Sequence, residues 1–401
     1  MNWISFQPLI GGMSIGAEFA FNKPPKAILG YKNVANDLHY IDYLKKLNKD
    51  VPYLTFDGGL YSFPKTLDES SRPFYDILHD VDIVSGVPVC SGLSMLNANN
   101  SLSSKARGSE AEQNNNLLHM TEFSLSEIKP KVFVFENAPG LYTNAGKSLR
   151  EKLIDFSKKY DYSLTFVKTN TFFHGIPQKR IRTFAFFWKS KTSPILQFEK
   201  RKSPSLIDYL NSFSKSSMDQ DFYNSDFNNV YYKYAINIIG EDYRYYMNDN
   251  NLKTIAQIIV ERNDYEISKK FGNEKEISII NKIKRKKDVG KGFWDNSHHF
   301  TGFDHVPSII GKNMWRLIHP TEERYYSVRE LMRFMGLPDD FELRNGKKDT
   351  VHISQNVPVS TSKDMHHQIV KYLNGELKFS SEKVLMIDNT KENKSGIFTI
   401  F

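Results

Sequence analysis

The stretch Val132-Phe133-Val134-Phe135-Glu136-Asn137-Ala138-Pro139-Gly140 decides the fold. Four consecutive apolar residues, all β-branched or aromatic, predict a strand buried on both faces. Asn137 to Gly140 predicts the turn that ends it and leaves Glu136 at its carboxyl end. The same punctuation recurs on both sides. Trp3 to Phe6 predicts a short strand, followed by Gly11-Gly12 and a helical stretch through Ala20. Ala27 to Tyr31 predicts a second strand and Tyr40 to Leu47 a helix. Val81 to Ser85 predicts a strand bounded by a turn at Gly86 to Pro88. Leu117, Met120, Phe123 and Ile128 have helical spacing, and Ser148 to Lys159 reads as an amphipathic helix. Leu164 to Thr169 and Phe184 to Trp188 predict two more strands. Strands and helices alternating in this way predict an α/β fold, a parallel sheet covered on both faces. Ligands then bind at the carboxyl ends of the strands, near a switch point.

The pattern changes after about Lys189. Through Lys312 the chain is rich in Asn, Tyr, Lys and Ser, which predicts a second lobe of different build. Tyrosines crowd at Tyr231, Tyr232, Tyr234, Tyr243, Tyr245 and Tyr246. Lys282, Lys284, Arg285, Lys286 and Lys287 form a basic run. Periodicity returns with a helix from Val328 to Met335 closed by Gly336, and another from Asp364 to Leu373. Ser94 to Asn116 has almost no large apolar residues and predicts a long loop. Residues after about Lys378 predict a polar, loose tail.

The chain has 401 residues, 40% of them hydrophobic, and a formal net charge of +8. The apolar content excludes a wholly disordered chain, and the charge favours a polyanionic partner such as nucleic acid. The one cysteine excludes an internal disulfide and a Cys₄ or Cys₂His₂ zinc site. Met1 to Phe21 lacks the pattern of a secretory leader, and no apolar run is long enough to span a membrane. The expected setting is a reducing cytoplasm.

Cys90 stands in Gly86-Val87-Pro88-Val89-Cys90-Ser91-Gly92-Leu93-Ser94, at a strand-to-loop edge that can present a thiol to a cleft. Glu136 stands where cleft residues stand, and a dry cleft would raise its pKa. In Gln178-Lys179-Arg180-Ile181-Arg182, alternation puts the two arginines on one face, suited to phosphate or a ring carbonyl. Gly11-Gly12 allows a ligand close to the main chain. Asp57 follows a candidate strand in Leu54-Thr55-Phe56-Asp57-Gly58-Gly59. Each element also has a bland reading as a buried thiol, a solvated strand-end charge or a turn former.

Taken in order, these pieces resemble the DNA cytosine-5 methyltransferases, from about Ile4 to Leu373 with a gap at roughly 190 to 305. The family's Pro-Cys, Glu-Asn and Gln-x-Arg-x-Arg motifs correspond to Pro88-Val89-Cys90, Glu136-Asn137 and Gln178-Lys179-Arg180-Ile181-Arg182. Tyr326 to Phe341 looks like the family's ninth motif, and Gln355-Asn356-Val357-Pro358 resembles its last. In the first motif Gln7 and Leu9 stand where the family has Phe and its first Gly, and only Gly11 and Gly12 match. No acidic residue near Tyr31 matches the family's ribose-binding one.

The resemblance implies a Rossmann-like sheet that uses S-adenosylmethionine, with a second, smaller DNA-recognition lobe. It divides the chain into a catalytic and cofactor-binding part at 1–190, completed by 348–378, a target-recognition part at 191–347 and a tail at 379–401. Cys90 would add to C6 of a flipped-out cytosine, Glu136 would hold N3 and the amine, Arg182 would contact O2 or a phosphate, and Arg180 would orient Glu136. The cofactor would be held by Ile10, Gly11, Gly12, Asp57, Pro88 and Asn356. Double-stranded DNA would be contacted by Ser94, Arg107 and Gln178. No metal and a monomer are expected. The alternatives are a tRNA cytosine methyltransferase and an inactive DNA-binding homologue.

Overall fold

The computed structural model describes the chain apart from residues 33, 62–65, 95–107, 214–254, 267–273, 291–298, 301–303, 312–313, 315–316, 323, 391–395 and 400–401. The expected α/β sheet is present. In chain order its strands are β1 (Trp3–Phe6), β2 (Ala27–Tyr31), β3 (Tyr53–Phe56), β4 (Ile83–Gly86), β5 (Val132–Asn137) and β6 (Ser163–Asn170). A two-residue β7 (Gln178–Lys179) leads into β8 (Ile181–Trp188). Short strands β9 (His299–Phe300), β10 (Val306–Pro307) and β11 (Leu317–Ile318) stand apart from the sheet, and β12 (Val384–Asn389) and β13 (Gly396–Thr399) rejoin it. The nine-stranded order is β13-β12-β6-β8-β5-β4-β1-β2-β3. Strands β1 to β5 run parallel, and β8 inserts antiparallel between β5 and β6. The winding direction reverses between β1 and β4, which opens a crevice at their carboxyl ends.

The period-two pattern of β5 shows why the sheet is covered on both sides. Phe133 and Phe135 join a core with Leu117 and Met120 of helix α3 (Asn114–Phe123) and Leu149 and Leu153 of α4 (Lys147–Lys159). Val132 and Val134 face the other way, toward Met13 and Ala17 of α1 (Gly12–Phe21). Met365 and Ile369 of the C-terminal helix Val359–Leu373 pack there too. A third core joins Ile10, Ile15 and Tyr40 to Val306, Ile309, Leu331, Met332 and Phe341. Tyr40 belongs to α2 (Leu38–Lys46). Leu331 and Met332 lie on the helix Val328–Arg333, which starts with a reciprocal cap between Ser327 and Glu330. As predicted, Gly336 ends this segment in the left-handed region, at φ 68°.

Two expectations are corrected. The segment after Lys378 is not a loose tail: Val384 to Asn389 pairs in parallel with β6 along the whole of β12, and β13 pairs with β12. The apolar run Val384-Leu385-Met386-Ile387 drives this, and polar flanks hide it in the sequence. The loop expected through Asn116 ends earlier, because a helical turn at Gly108–Glu110 and then α3 occupy its second half. Residues 95–107 and the tyrosine cluster lie outside the described residues. The basic run lies on the helix Glu274–Asp288, and Lys282, Lys284 and Arg285 are exposed on it.

Buried polar pins hold the C-terminal helix on the sheet. His366 is fully buried. Its Nδ1 faces the Ser362 carbonyl at 2.8 Å, and its Nε2 faces the Ser85 hydroxyl of β4 at 2.9 Å. The carbonyl requires a proton on Nδ1, so Ser85 donates to Nε2 and the ring is neutral. Burial pushes the His366 pKa down from 6.5 to about 4. Between those values the unfolded chain binds a proton that the folded chain does not. The contribution of His366 is therefore complete above about pH 6.5 and lost as pH falls toward 4.

Two outcomes follow from this packing. Chemical unfolding of wild type and His366→Gln should give a stability gap that narrows by roughly 2 kcal/mol from pH 7 to pH 5, and a gap independent of pH would contradict the assignment. Truncation after Lys378 uncovers the backbone edge of β6. It should lower the thermal midpoint by about 5 °C or more in a fluorescence melt, and an unchanged midpoint would show that β12 contributes nothing.

Candidate functional site

Strands β1 and β4 end at one level, beside the last residues of β5. Phe6 of β1 is in register with Gly86 of β4, and Gly86 with Phe135 of β5. The Val87 N–H donates to the Phe6 carbonyl at 3.1 Å, so the loops after β1 and β4 leave the sheet side by side. Gly86 lets Met120 pack against the strand: a Cβ there would lie 2.4 Å from Met120 Sδ, so the methionine would have to shift. The next four residues carry the chain to Cys90, whose carbonyl accepts the Leu93 N–H at 3.1 Å and starts a tight helical turn at Ser91–Leu93. Cys90 is a half-buried free thiol.

Glu136 follows Phe135 by one residue and is 3% exposed. Arg182 Nε lies 2.9 Å from Glu136 Oε1. The contact is an ion pair rather than an aligned hydrogen bond, so Oε1 has no hydrogen-bond partner among the described residues. Burial pushes the Glu136 pKa up, and the charges of Arg182 and Arg180 oppose that rise. Burial likewise pushes the Cys90 thiol up. The Glu136 charge adds to this, and Arg182 and Arg180 pull the other way. Thiol and carboxyl are thus electrostatically coupled.

The expectation that Arg180 orients Glu136 is corrected. Arg182, not Arg180, pairs with Glu136. Arg180 is 1% exposed, and its guanidinium donates to the carbonyls of Ile309, Ser354 and Asn356 at 2.8, 2.8 and 2.9 Å. Strand pairing breaks at Arg180 between β7 and β8, so the alternation that put both on one face does not hold. Gln178 is also corrected. It is fully buried, its Nε2 donates to the Phe334 carbonyl at 2.7 Å and its Oε1 accepts from Ile309 N–H at 3.3 Å. It ties β7 to the ninth-motif helix and has no surface to offer a duplex. Ser94 is half-buried at the end of the Cys90 turn, and Arg107 lies outside the described residues.

On the cofactor side, Gly11 has φ 110° and precedes α1. The Gly12 N–H donates to Asn356 Oδ1 at 2.8 Å, and a Cβ on Gly12 would lie 2.1 Å from the Val357 carbonyl. This leaves Asn356 Nδ2 as a buried donor without a partner among the described residues, which fits the carboxylate of an amino-acid moiety. Pro88 is buried in the adjoining loop, whereas Ile10 points into the apolar core. Asp57 follows β3 and pairs with Lys32 Nζ at 3.4 Å, both side chains open to solvent.

Sequence reasoning missed two buried groups. Asp37 accepts from Leu9 N–H at 2.8 Å and from the Tyr53 hydroxyl at 3.2 Å, and burial pushes its pKa up to about 7. Asn116 bridges the β1 and β4 loops. Neither sits in a recognisable motif. His39, Asp349 and His352 also gather side-chain ligand atoms. His39 Nδ1 accepts the Arg344 N–H at 3.2 Å, which puts its proton on Nε2, facing Asp349 Oδ2 at 3.5 Å. Among the described residues no helix is long and apolar enough to cross a membrane.

Comparison with known proteins identifies the family and the fold. The family model for C-5 cytosine-specific DNA methylases matches residues 66–371, a span holding Cys90, Glu136, Arg182 and Asn356 but not the loop after β1. The chain is 22% identical over 325 residues to the Type II methyltransferase M.XorII of Xanthomonas oryzae pv. oryzae, covering 78% of this chain and 73% of that protein. It is 29% identical over 107 residues to the Type II methyltransferase M.AgeI of Thalassovita gelatinovora, covering 26% of this chain and 23% of that protein. Two solved structures share the fold. One is a putative DNA modification methyltransferase encoded within an E. coli prophage, with TM-score 0.58 at 17% identity over 93% of this chain and 99% of that one. The other is the methyltransferase EhMeth of Entamoeba histolytica, with TM-score 0.54 at 13% identity over 93% and 98%. The family match spans more than half of the chain, so the protein belongs to the C-5 cytosine-specific DNA methylases, enzymes that take their methyl group from S-adenosylmethionine.

Proposed function

We propose that the protein methylates C5 of a cytosine flipped out of duplex DNA, with Cys90 as the attacking nucleophile. The observation that carries this reading is the pairing, on adjacent strand ends, of the only cysteine with a buried, arginine-paired carboxyl. Cytosine C5 is a poor nucleophile. Addition of the Cys90 thiolate to C6 makes C5 enamine-like. S-adenosylmethionine supplies the methyl group that C5 then takes. Loss of the C5 proton and elimination of Cys90 restore the ring.

Glu136 serves this step through its raised pKa. A protonated Glu136 donates to N3 and offsets the charge that builds on the ring as the thiolate adds. In that form it also ceases to oppose the Cys90 thiolate, so substrate binding and thiol ionisation favour one another. Arg182 holds the carboxyl in place and keeps a positive charge beside the ring. On the cofactor side, Asn356 Nδ2 and the close-packed Gly11-Gly12 turn receive the amino-acid end, and Pro88 walls the pocket.

Duplex DNA as substrate is supported by the net charge of +8 and by the exposed basic face of the helix Glu274–Asp288. The relatives named Type II methyltransferases support site-specific modification of the restriction–modification kind. Methyl transfer to mixed-sequence duplex DNA and to tRNA, measured side by side by nucleoside mass spectrometry, tests the substrate. 5-Methylcytosine in DNA is the expected result, and 5-methylcytosine in tRNA alone would overturn it.

Two variants test the chemistry. Cys90→Ala should retain S-adenosylhomocysteine binding by calorimetry and lose methyl transfer completely. Residual transfer at the wild-type rate would exclude Cys90 as nucleophile. Glu136→Gln should lower kcat about 10²–10⁴-fold. It should also speed alkylation of Cys90 at pH 7, because removing the carboxylate charge lowers the thiol pKa. Slower alkylation in Glu136→Gln would contradict the coupling.

A further inference from the structure

We propose that Asn116 is a positioning residue that locks the cofactor loop after β1 to the nucleophile loop after β4. The inference rests on the reading of these loops as the cofactor and Cys90 platforms. Asn116 lies in the first turn of α3 and is fully buried. Its Oδ1 accepts the Val89 N–H at 2.8 Å, one residue before Cys90. Its Nδ2 donates to Gln7 Oε1 at 3.0 Å, at the start of the loop that reaches Gly11-Gly12. The main-chain donor at Val89 fixes the polarity: Asn116 must present its oxygen there and its NH₂ to Gln7, which in turn orients the Gln7 amide.

The loop needs such a hold. Gln7 and Leu9 both adopt left-handed backbone, with φ 52° and 55°, at positions where a side chain is strained. Leu9 is pinned through its N–H by Asp37, and Gln7 through its side chain by Asn116. At their base the two loops already share the Val87–Phe6 main-chain bond. Asn116 adds a second point of attachment one level higher. Two points fix the relative placement of two loops where one point leaves a hinge. Methyl transfer needs that placement, since a misalignment of about 1 Å costs on the order of 100-fold in rate.

Because Cys90 is the only cysteine, its alkylation by iodoacetamide reports on its loop alone. Gln7→Gly removes the amide at a φ that glycine adopts freely, so it should fold even where Asn116→Ala does not. Gln7 has its side-chain hydrogen bond to Asn116, yet Gln7→Gly should change the Cys90 alkylation rate about tenfold. Asn116→Ala should do the same, and the double variant should go no further than either single one, a coupling of about 1.4 kcal/mol. S-adenosylhomocysteine affinity, read by calorimetry, should fall by a similar factor in each. An alkylation rate unchanged in Gln7→Gly, or effects that multiply in the double variant, would overturn the proposal. If the wild type itself fails to bind S-adenosylhomocysteine, the functional reading fails, and the alkylation arm still decides the clamp.

Discussion

Glu136 leaves the carboxyl end of a central strand with its side chain out of water and Arg182 Nε 2.9 Å away. A carboxyl in that position is costly to ionise, and the ion pair offsets only part of the cost. Burial favours the protonated form of Glu136, and the charges of Arg182 and Arg180 oppose it. Cys90 is itself disfavoured as a thiolate by burial and by the Glu136 charge. In the mechanism we propose, one proton on Glu136 would relieve the charge term and provide a donor to the pyrimidine ring.

The sheet exists to put these groups at one level. Phe6, Gly86 and Phe135 are register partners across three parallel strands, so their following residues emerge together. Gly86 lets Met120 approach the backbone, and Gly12 lets the last motif approach α1. Arg180 and Gln178 are spent on the main-chain carbonyls of Ile309, Phe334, Ser354 and Asn356. They tie distant parts of the chain to the strand that carries Arg182.

Much of this was legible in the sequence, and the reasons are specific. Val132 to Phe135 could only be a buried strand, so Glu136 had to stand at its end. Cys90 was marked by the apolar strand before it and the glycine and proline around it. The arginine roles were not legible, because alternation assumes an unbroken strand and pairing breaks at Arg180. Gln178 lies in a recognised motif, but its motif position says nothing of burial. Asn116 and Asp37 act through contacts with residues tens of positions away, which spacing does not encode. The C-terminal strand was hidden because its four apolar residues are short against their polar flanks.

The most direct test of the account is a duplex carrying 5-fluorocytosine at the target site, incubated with the protein and S-adenosylmethionine. Fluorine on C5 cannot leave as a proton does, so elimination stops and the covalent adduct persists. Peptide mapping by mass spectrometry should then place the nucleotide on Cys90, with the methyl group retained and no adduct when the cofactor is omitted. A protein that forms 5-methylcytosine in ordinary duplex DNA yet yields no Cys90 adduct with the fluorinated one would contradict the account.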